Sequence, residues 1–401
     1  MQTPTQRLYT ALSNRVPDRV PVVPKIFVES AARLTGTPIL DVIQDPTTAL
    51  RVVLDAGLLT GVDAVRQFHF PARRIEKAGN QAFEVDGRGR RVGEIDLQGG
   101  LTTRLFDPAE FHLEDSWRMA YMQYWPAEEP YIRNLDDVKR MSIPSRSFYE
   151  QLGCGDRARE MIRLAGDRIA VIGDAISATL CFCVYFRGYQ RSLLDLVEEP
   201  ELLHAMMQKG VEYATERAKF SIDLGIKMIR LNDSTGNMCV ISPAHWRQFI
   251  FPHMKEVCDE LHRYDPEVRI YSHICGNVYP IIDDLIATGL DCIGPMDPLG
   301  RFTASQIRER AGDRIALMGG VNTLSFLADD PQQVIEEARV CIEGAGRHGG
   351  YVLGSGCMVP PGSKKENLKA LVTAAERYGV YHDGELAPRD AVLSVQGSDN
   401  I

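Results

Sequence analysis

The chain has 401 residues, 44% of them apolar and 25% charged, with a formal net charge of −9. That composition is ordinary for a globular protein, and an acidic balance without a Lys/Arg-rich run excludes nucleic acid as an expected partner. No window approaches 18 apolar residues and residues 1–20 lack the apolar core of an export signal, so no membrane span and no secretion are expected.

The first half of the chain predicts three strands. They are residues 19–27 (RVPVVPKIF), 63–70 (DAVRQFHF) and 168–175 (RIAVIGDA), each short, apolar and β-branched. Between the second and third, residues 83–106 alternate and carry an Asp-Gly pair at Asp86-Gly87, the pattern of a β-hairpin inserted outside a parallel sheet. The second half alternates regularly. Strands are expected at 227–233, 268–276, 290–296, 314–322 and 350–357, separated by amphipathic helices at 242–264, 278–289, 303–312, 330–346 and 363–379. Gly289, Gly312, Gly346 and Gly379 close helical patterns, and Ser242 and Ser363 stand at expected N-caps. Three strands and five more make eight. The expectation is an α/β fold, a single (β/α)8 TIM barrel over residues 1–382 with the hairpin insertion at about 83–106, followed by a polar tail at 383–401.

In such a barrel the reactive groups lie at the carboxyl ends of the strands. There the sequence places His69, Asp174, Asn232 and Asp233, His273 and Cys275, Asp297, Asn322, and Cys357. In IYSHICGN (270–277), His273 and Cys275 are two residues apart and share one face of an extended segment, with Cα atoms roughly 7 Å apart. Cys357 follows Gly354, Ser355 and Gly356, small residues expected to leave room in front of its sulfur. Together the three make a Cys2His set with one position open, which suits catalytic Zn2+, with Asp297 or another carboxylate a candidate fourth ligand. Asn232, Asp233, Asp174, His69 and Asn322 are candidates for holding substrate. Cys181 and Cys183 fall in an apolar stretch and read as core, and Cys239, Cys258, Cys292 and Cys341 as filler. An odd number of cysteines, nine, scattered through apolar segments fits a reducing compartment, and a cytoplasmic location is expected.

Several stretches carry a resemblance: RVPDRVPVVP near the start, GDAISATLCFCVYFRGYQRSLLDLVEEPELL, LNDSTGN, SHICGN, GLDCIGPMDP and GYVLGSGCMVPPGSKKENLKAL. Over about residues 11–380 the chain resembles the uroporphyrinogen decarboxylase superfamily, which implies a (β/α)8 barrel with its cleft at the carboxyl face. Three positions depart from the tetrapyrrole decarboxylases. Lys25 is the only cation in VVPKIFVESAA, where they carry an arginine-bearing segment; His69 stands where they have a mouth aspartate, and Cys357 where they have the histidine of G-H-G. His273, Cys275 and Cys357 match instead the H-x-C and later G-C motif of the zinc-dependent, corrinoid-linked methyltransferases. The resemblance implies methyl transfer between methylcobalamin or another corrinoid, carried by a partner protein, and a small-molecule donor or acceptor. A decarboxylase-like lyase and a non-catalytic corrinoid- or ligand-binding barrel remain open alternatives.

Overall fold

A computed structural model describes residues 1–69, 71–97 and 101–387. Its centre is a curled sheet of seven parallel strands: β1 (Ala64–Arg66), β6 (Ala170–Ile176), β7 (Met228–Asn232), β8 (Arg269–His273), β9 (Cys292–Met296), β10 (Ala316–Val321) and β11 (Tyr351–Ser355), neighbours in that order. Between β1 and β6 lies a separate antiparallel sheet of four strands in order, β2 (Ile75–Ala78), β3 (Gln81–Val85), β4 (Arg91–Ile95) and β5 (Thr103–Leu105). The segment read as a hairpin is thus the larger part of a four-stranded meander. Its turn is a five-residue loop whose positive φ falls on Gly89 (77°) and not on Gly87.

The stretch 19–27 is not a regular strand. Its two prolines, Pro21 and Pro24, each remove a ladder donor. It nevertheless spans both edges of the curled sheet. Leu353 donates to Pro21 O (2.9 Å) and Val23 to Leu353 O (2.7 Å) on one side, and Asp63 donates to Val22 O (2.8 Å) on the other. Further along, Lys25 bridges Met358 in parallel register.

Side-chain alternation splits the core in two. Val23, Ala64, Ala170, Ile172, Met228, Tyr271, Cys292, Ala316, Met318 and Val352 point inward, and the helix Pro4–Leu12 closes one end with Leu8, Ala11 and Leu12. The outward residues pack under the surrounding helices in one large cluster. The helix ends largely follow the sequence, with Ser242 Oγ accepting from His245 N and glycines succeeding the helices Ala304–Ala311, Pro331–Ala345 and Lys365–Tyr378. Ser363 is an exception: the last of these helices starts one residue later than a Ser363 cap requires, with Lys364 at the cap position and no side-chain cap bond. Of the tail expected at 383–401, Glu385–Leu386 pairs antiparallel with Tyr381–His382, and residues 388–401 lie outside the described residues. Among the described residues no helix is long and apolar enough to cross a membrane.

Candidate metal centre

β8 carries Tyr271 and His273 on its inner face, and Cys275 follows two residues on. The chain then turns sharply at Gly276 (φ 89°), where any Cβ would sit 2.8 Å from Asn237 Oδ1. Cys357 enters from the loop after β11. Gly354 and Gly356 beside it do not leave open space, as the sequence suggested. A Cβ on Gly354 would meet Val23 O at 2.6 Å and one on Gly356 would meet Pro298 Cδ at 2.4 Å, so these glycines let neighbouring loops pack closely.

The result is a compact trio. One ligand atom each of His273, Cys275 and Cys357 lies within 4.8 Å of the others. His273 Nε2 is 3.2 Å from Cys275 Sγ, and the two sulfurs are 2.9 Å apart, a hydrogen-bonding and not a covalent separation. Either sulfur can donate across this contact. Donation from Cys275 holds the Cys357 thiol well below its ordinary pKa, and the same bond raises that of Cys275. Burial, then the charge of Lys25, keeps His273 neutral, the form in which imidazole ligates a metal. Ser234 Oγ donates to Cys275 Sγ at 3.6 Å. Ligand types and separations, with the neutral imidazole of His273, fit a soft divalent cation.

The other sequence candidates divide. Asn232 faces the trio's side of the curled sheet: its Oδ1 accepts from Ser234 Oγ and Arg230 Nη1, both at 3.3 Å, and its Nδ2 donates to Ser177 Oγ. Asp174 is buried beneath, accepting from Arg230 Nη2 at 2.8 and 2.9 Å, and despite its burial the surrounding arginines hold its pKa below the ordinary value. Asp233 points elsewhere, accepting from Cys181 N (2.8 Å), and burial pushes its pKa up to about 6. Asp297 is outside the gathered ligand atoms. Its Oδ2 accepts from Gly276 N (2.8 Å) and its Oδ1 from Leu299 N (2.9 Å), so it braces the turn after Cys275. Asn322 caps the turn Thr323–Leu327 through Leu324 N and lines a separate cavity between the helices Ala304–Ala311 and Pro331–Ala345.

His69 also lies away from the trio. Counting along the chain from β1, Arg66 and Phe68 take the inner side and Gln67 and His69 the outer. His69 is fully buried against the helix Pro200–Asp223, with Nε2 2.7 Å from Ser221 Oγ and Nδ1 2.8 Å from Gln67 Nε2. Of the lesser cysteines, Cys181, Cys183, Cys258, Cys292 and Cys341 are buried as expected, but Cys239 is exposed and fills no core. Two groups beside the trio belong to no motif of the sequence. Lys25 Nζ is 2.7 Å from His273 Nε2, and Arg66 lines the same small cavity as Lys25 and His273. Period-two parity from β1 would have found Arg66; no local pattern marks Lys25 as the neighbour of a residue 248 positions away.

Fold and site together define an α/β protein with a curled parallel sheet that gathers a thiol–thiol–imidazole set at the carboxyl ends of its strands. The family model described as uroporphyrinogen decarboxylase (URO-D) matches residues 117–378, and the chain belongs to that family, whose members are enzymes. The uroporphyrinogen decarboxylase of Coxiella burnetii is 24% identical over 259 residues, covering 63% of this chain and 70% of that one. The methylcobamide:CoM methyltransferase MtaA of Methanosarcina barkeri is 28% identical over 185 residues, 45% of this chain and 51% of the relative. Among solved structures, a methyltransferase from Methanosarcina mazei superposes with a TM-score of 0.68 at 19% identity, over 94% of this chain and 98% of the other, which establishes the shared fold.

Proposed function

We propose that this protein is a zinc-dependent methyltransferase moving a methyl group between a corrinoid on a partner protein and a small-molecule thiol or other donor or acceptor. One observation carries the reading: three soft ligands from distant parts of the chain converge within 4.8 Å. The methylcobamide:CoM methyltransferase among its relatives supports it. The same reading takes residues 20–25 as the eighth stave of a (β/α)8 barrel and the 75–105 sheet as an insertion in it. A cytoplasmic setting follows, because the ligands must stay reduced.

His273, Cys275 and Cys357 would hold the ion, and zinc bound there supplies Lewis acidity that keeps a substrate thiol as its thiolate at neutral pH. The protein's own groups do the rest. Neutral His273 offers Nε2, the paired sulfurs would bind as thiolates and give up their thiol protons on ligation, and Asp297 fixes the turn that aims Cys275. Asn232, tied to Arg230 and Ser234, forms the adjoining wall where a substrate polar group would bind.

The test is metal content together with turnover. Purified protein is expected to hold close to one zinc, lost in Cys357→Ser and in His273→Ala, and to demethylate methylcobalamin in the presence of a suitable thiol. Metal-free wild-type protein that decarboxylates uroporphyrinogen would establish the lyase reading instead. Bound zinc without turnover across a broad acceptor panel would leave a binding protein.

A further inference from the structure

The four-stranded insertion sheet and the helix Ser116–Ala120 border a cavity of about 370 Å3 that shares no lining residue with the small cavity beside the trio. Three buried polar groups on its lining are incomplete. Arg118 is 8% exposed, Glu84 2% and Trp125 fully buried, yet Arg118 Nη1, Glu84 Oε1 and Trp125 Nε1 have no hydrogen-bond partner among the described residues. An unpaired buried polar atom is rare in native structures and marks a place where a water, ion or ligand completes it. One water takes about 30 Å3, so the volume far exceeds what completing a single atom requires. It falls within the range of small-molecule sites, about 300–1,000 Å3.

The other charged groups on the lining are engaged within the chain. Asp115 Oδ1 accepts from Trp117 N (2.9 Å), Asp86 Oδ1 accepts from Arg88 N and Arg90 N (both 2.9 Å), and Arg74 Nη1 donates to Gly87 O (3.3 Å). Glu84 differs. Its Oε2 accepts from Arg73 Nε at 2.8 Å, which leaves Oε1 free. Arg118 and Glu84 lie in each other's electric field, yet their two free atoms do not meet. A buried cation and a buried carboxylate, each with one free atom and a gap between them, match a ligand that carries both signs of charge close together. Packing sets the cation in place, with Arg118 Cζ 4.8 Å from the ring centre of Trp125. Trp117, Val85 and Val92 supply an apolar wall.

We propose that this cavity is a second ligand site, built for a free α-amino acid with an apolar side chain. The ligand carboxylate accepts from Arg118 Nη1 and Trp125 Nε1, its ammonium donates to Glu84 Oε1, and its side chain packs against Trp117 and Val92. Binding here is non-covalent and does not rest on the methyl-transfer reading or on a metal at the trio. A ligand with only one of the two charges leaves either the guanidinium or the carboxylate oxygen incomplete, so the site selects the zwitterion.

Calorimetry tests the site on the full chain carrying Cys357→Ser, which excludes chelation of an amino acid by a metal at the trio. The probes are L-leucine with 4-methylpentanoate and 3-methylbutylamine, and L-phenylalanine with 3-phenylpropionate and 2-phenylethylamine. Within each set the second probe lacks the ammonium and the third lacks the carboxylate. At least one amino acid is expected to bind about tenfold or more tighter than both of its halves, the worth of a buried charge-assisted hydrogen bond. Adding Arg118→Met should weaken that amino acid and its carboxylate half about tenfold and leave the amine half unchanged. Adding Glu84→Gln should weaken the amino acid and the amine half and leave the carboxylate half unchanged. Two of the chain's three tryptophans line the cavity, so tryptophan fluorescence reads the same titrations independently. No binding of either amino acid at millimolar concentration would show that water alone completes the three atoms, and overturns the site. An amino acid bound no tighter than its halves, or losses in the variants that do not divide by charge, overturns it as well. Should Arg118→Met or Glu84→Gln fail to fold, Arg118→Lys and Trp125→Phe, which keeps the ring and removes only the N–H, carry the carboxylate half of the comparison.

Discussion

Lys25 is the residue whose position most constrains the site. Its ammonium lies 2.7 Å from the ring nitrogen that would bind a metal. Burial, reinforced by Arg230 and Arg66, brings its pKa down to about 7. At an effective dielectric of about 20, two like unit charges 4 Å apart repel by ~4 kcal/mol, and a divalent ion is repelled more. A lysine so placed opposes cation binding unless it swings away or sheds its proton, and either route takes free energy from the affinity. Lys25→Met is therefore expected to tighten zinc binding about tenfold, worth ~1.4 kcal/mol, after relaxation has absorbed most of the bare Coulomb difference. Competition with a chromophoric chelator at pH 7.5 measures it. Weaker binding in the variant would mean that Lys25 supports the trio instead of opposing it.

Within a strand, alternation decides what a residue can do, and His69 shows the consequence. The sequence places it at the end of a barrel strand, where reactive groups gather, but its parity turns it outward into the helix layer beside Ser221 and Phe220. Burial, then the charge of Arg217, holds its pKa well below the ordinary value, so it is neutral in the folded protein. A depressed histidine pKa means that the unfolded chain binds the proton first. Its contribution is complete above about pH 6.5 and is lost as pH falls below that, by ~1.4 kcal/mol per pH unit. His69→Gln should destabilise the protein at pH 7.5 by about 1–3 kcal/mol through lost hydrogen bonds. The gap to wild type should narrow between pH 6.5 and 5, read from urea midpoints, with zinc content unaltered. A gap constant with pH would show that His69 takes up its proton as readily in the fold as in the unfolded chain. The same alternation explains what the sequence made legible. His273 and Cys275 were expected to share a face where a strand ends, but that spacing is common in ordinary cores; it pointed to a ligand set only with Cys357 at another strand end, and the structure brings the three together. Arg66 was equally accessible by parity from Ala64, but an arginine in an apolar strand carries no motif. The roles of Asp297 and Asn322 were not legible, because binding a backbone amide and binding a ligand call for the same residue types at the same places.

Closure of the whole sheet depends on one carboxylate at its floor. Asp63 Oδ1 accepts from Arg7 Nη1 (2.7 Å) and Arg19 Nη2 (3.0 Å), and Oδ2 from Arg19 Nη1 (2.8 Å) and Val22 N (2.7 Å). It is nearly fully buried and joins the helix Pro4–Leu12, the extended segment 20–25 and the start of β1. That extended segment holds the two ends of the parallel sheet together, and it is the part of the eight-strand expectation that sequence least supported, since its prolines preclude a full ladder. The same segment delivers Lys25 to the trio, where it bridges Met358 beside Cys357. Loss of the floor contacts is thus expected to loosen the trio of ligand atoms at the opposite end of the segment. Asp63→Ala removes the acceptor from Arg7 Nη1, from Arg19 Nη2 and from the Val22 N–H, while Arg7 keeps Asp18 and Arg19 keeps Val20 O, and should cost about 3 kcal/mol. Asp63→Asn keeps an acceptor but no charge, and should cost less. Hydrogen exchange on Asp63→Asn is expected to speed up together at residues 20–25 and 351–358, with zinc bound more weakly, while the strands Met228–Asn232 and Arg269–His273 keep their protection. Exchange that accelerated uniformly, or only near residue 63, would show that the seam does not couple floor to site.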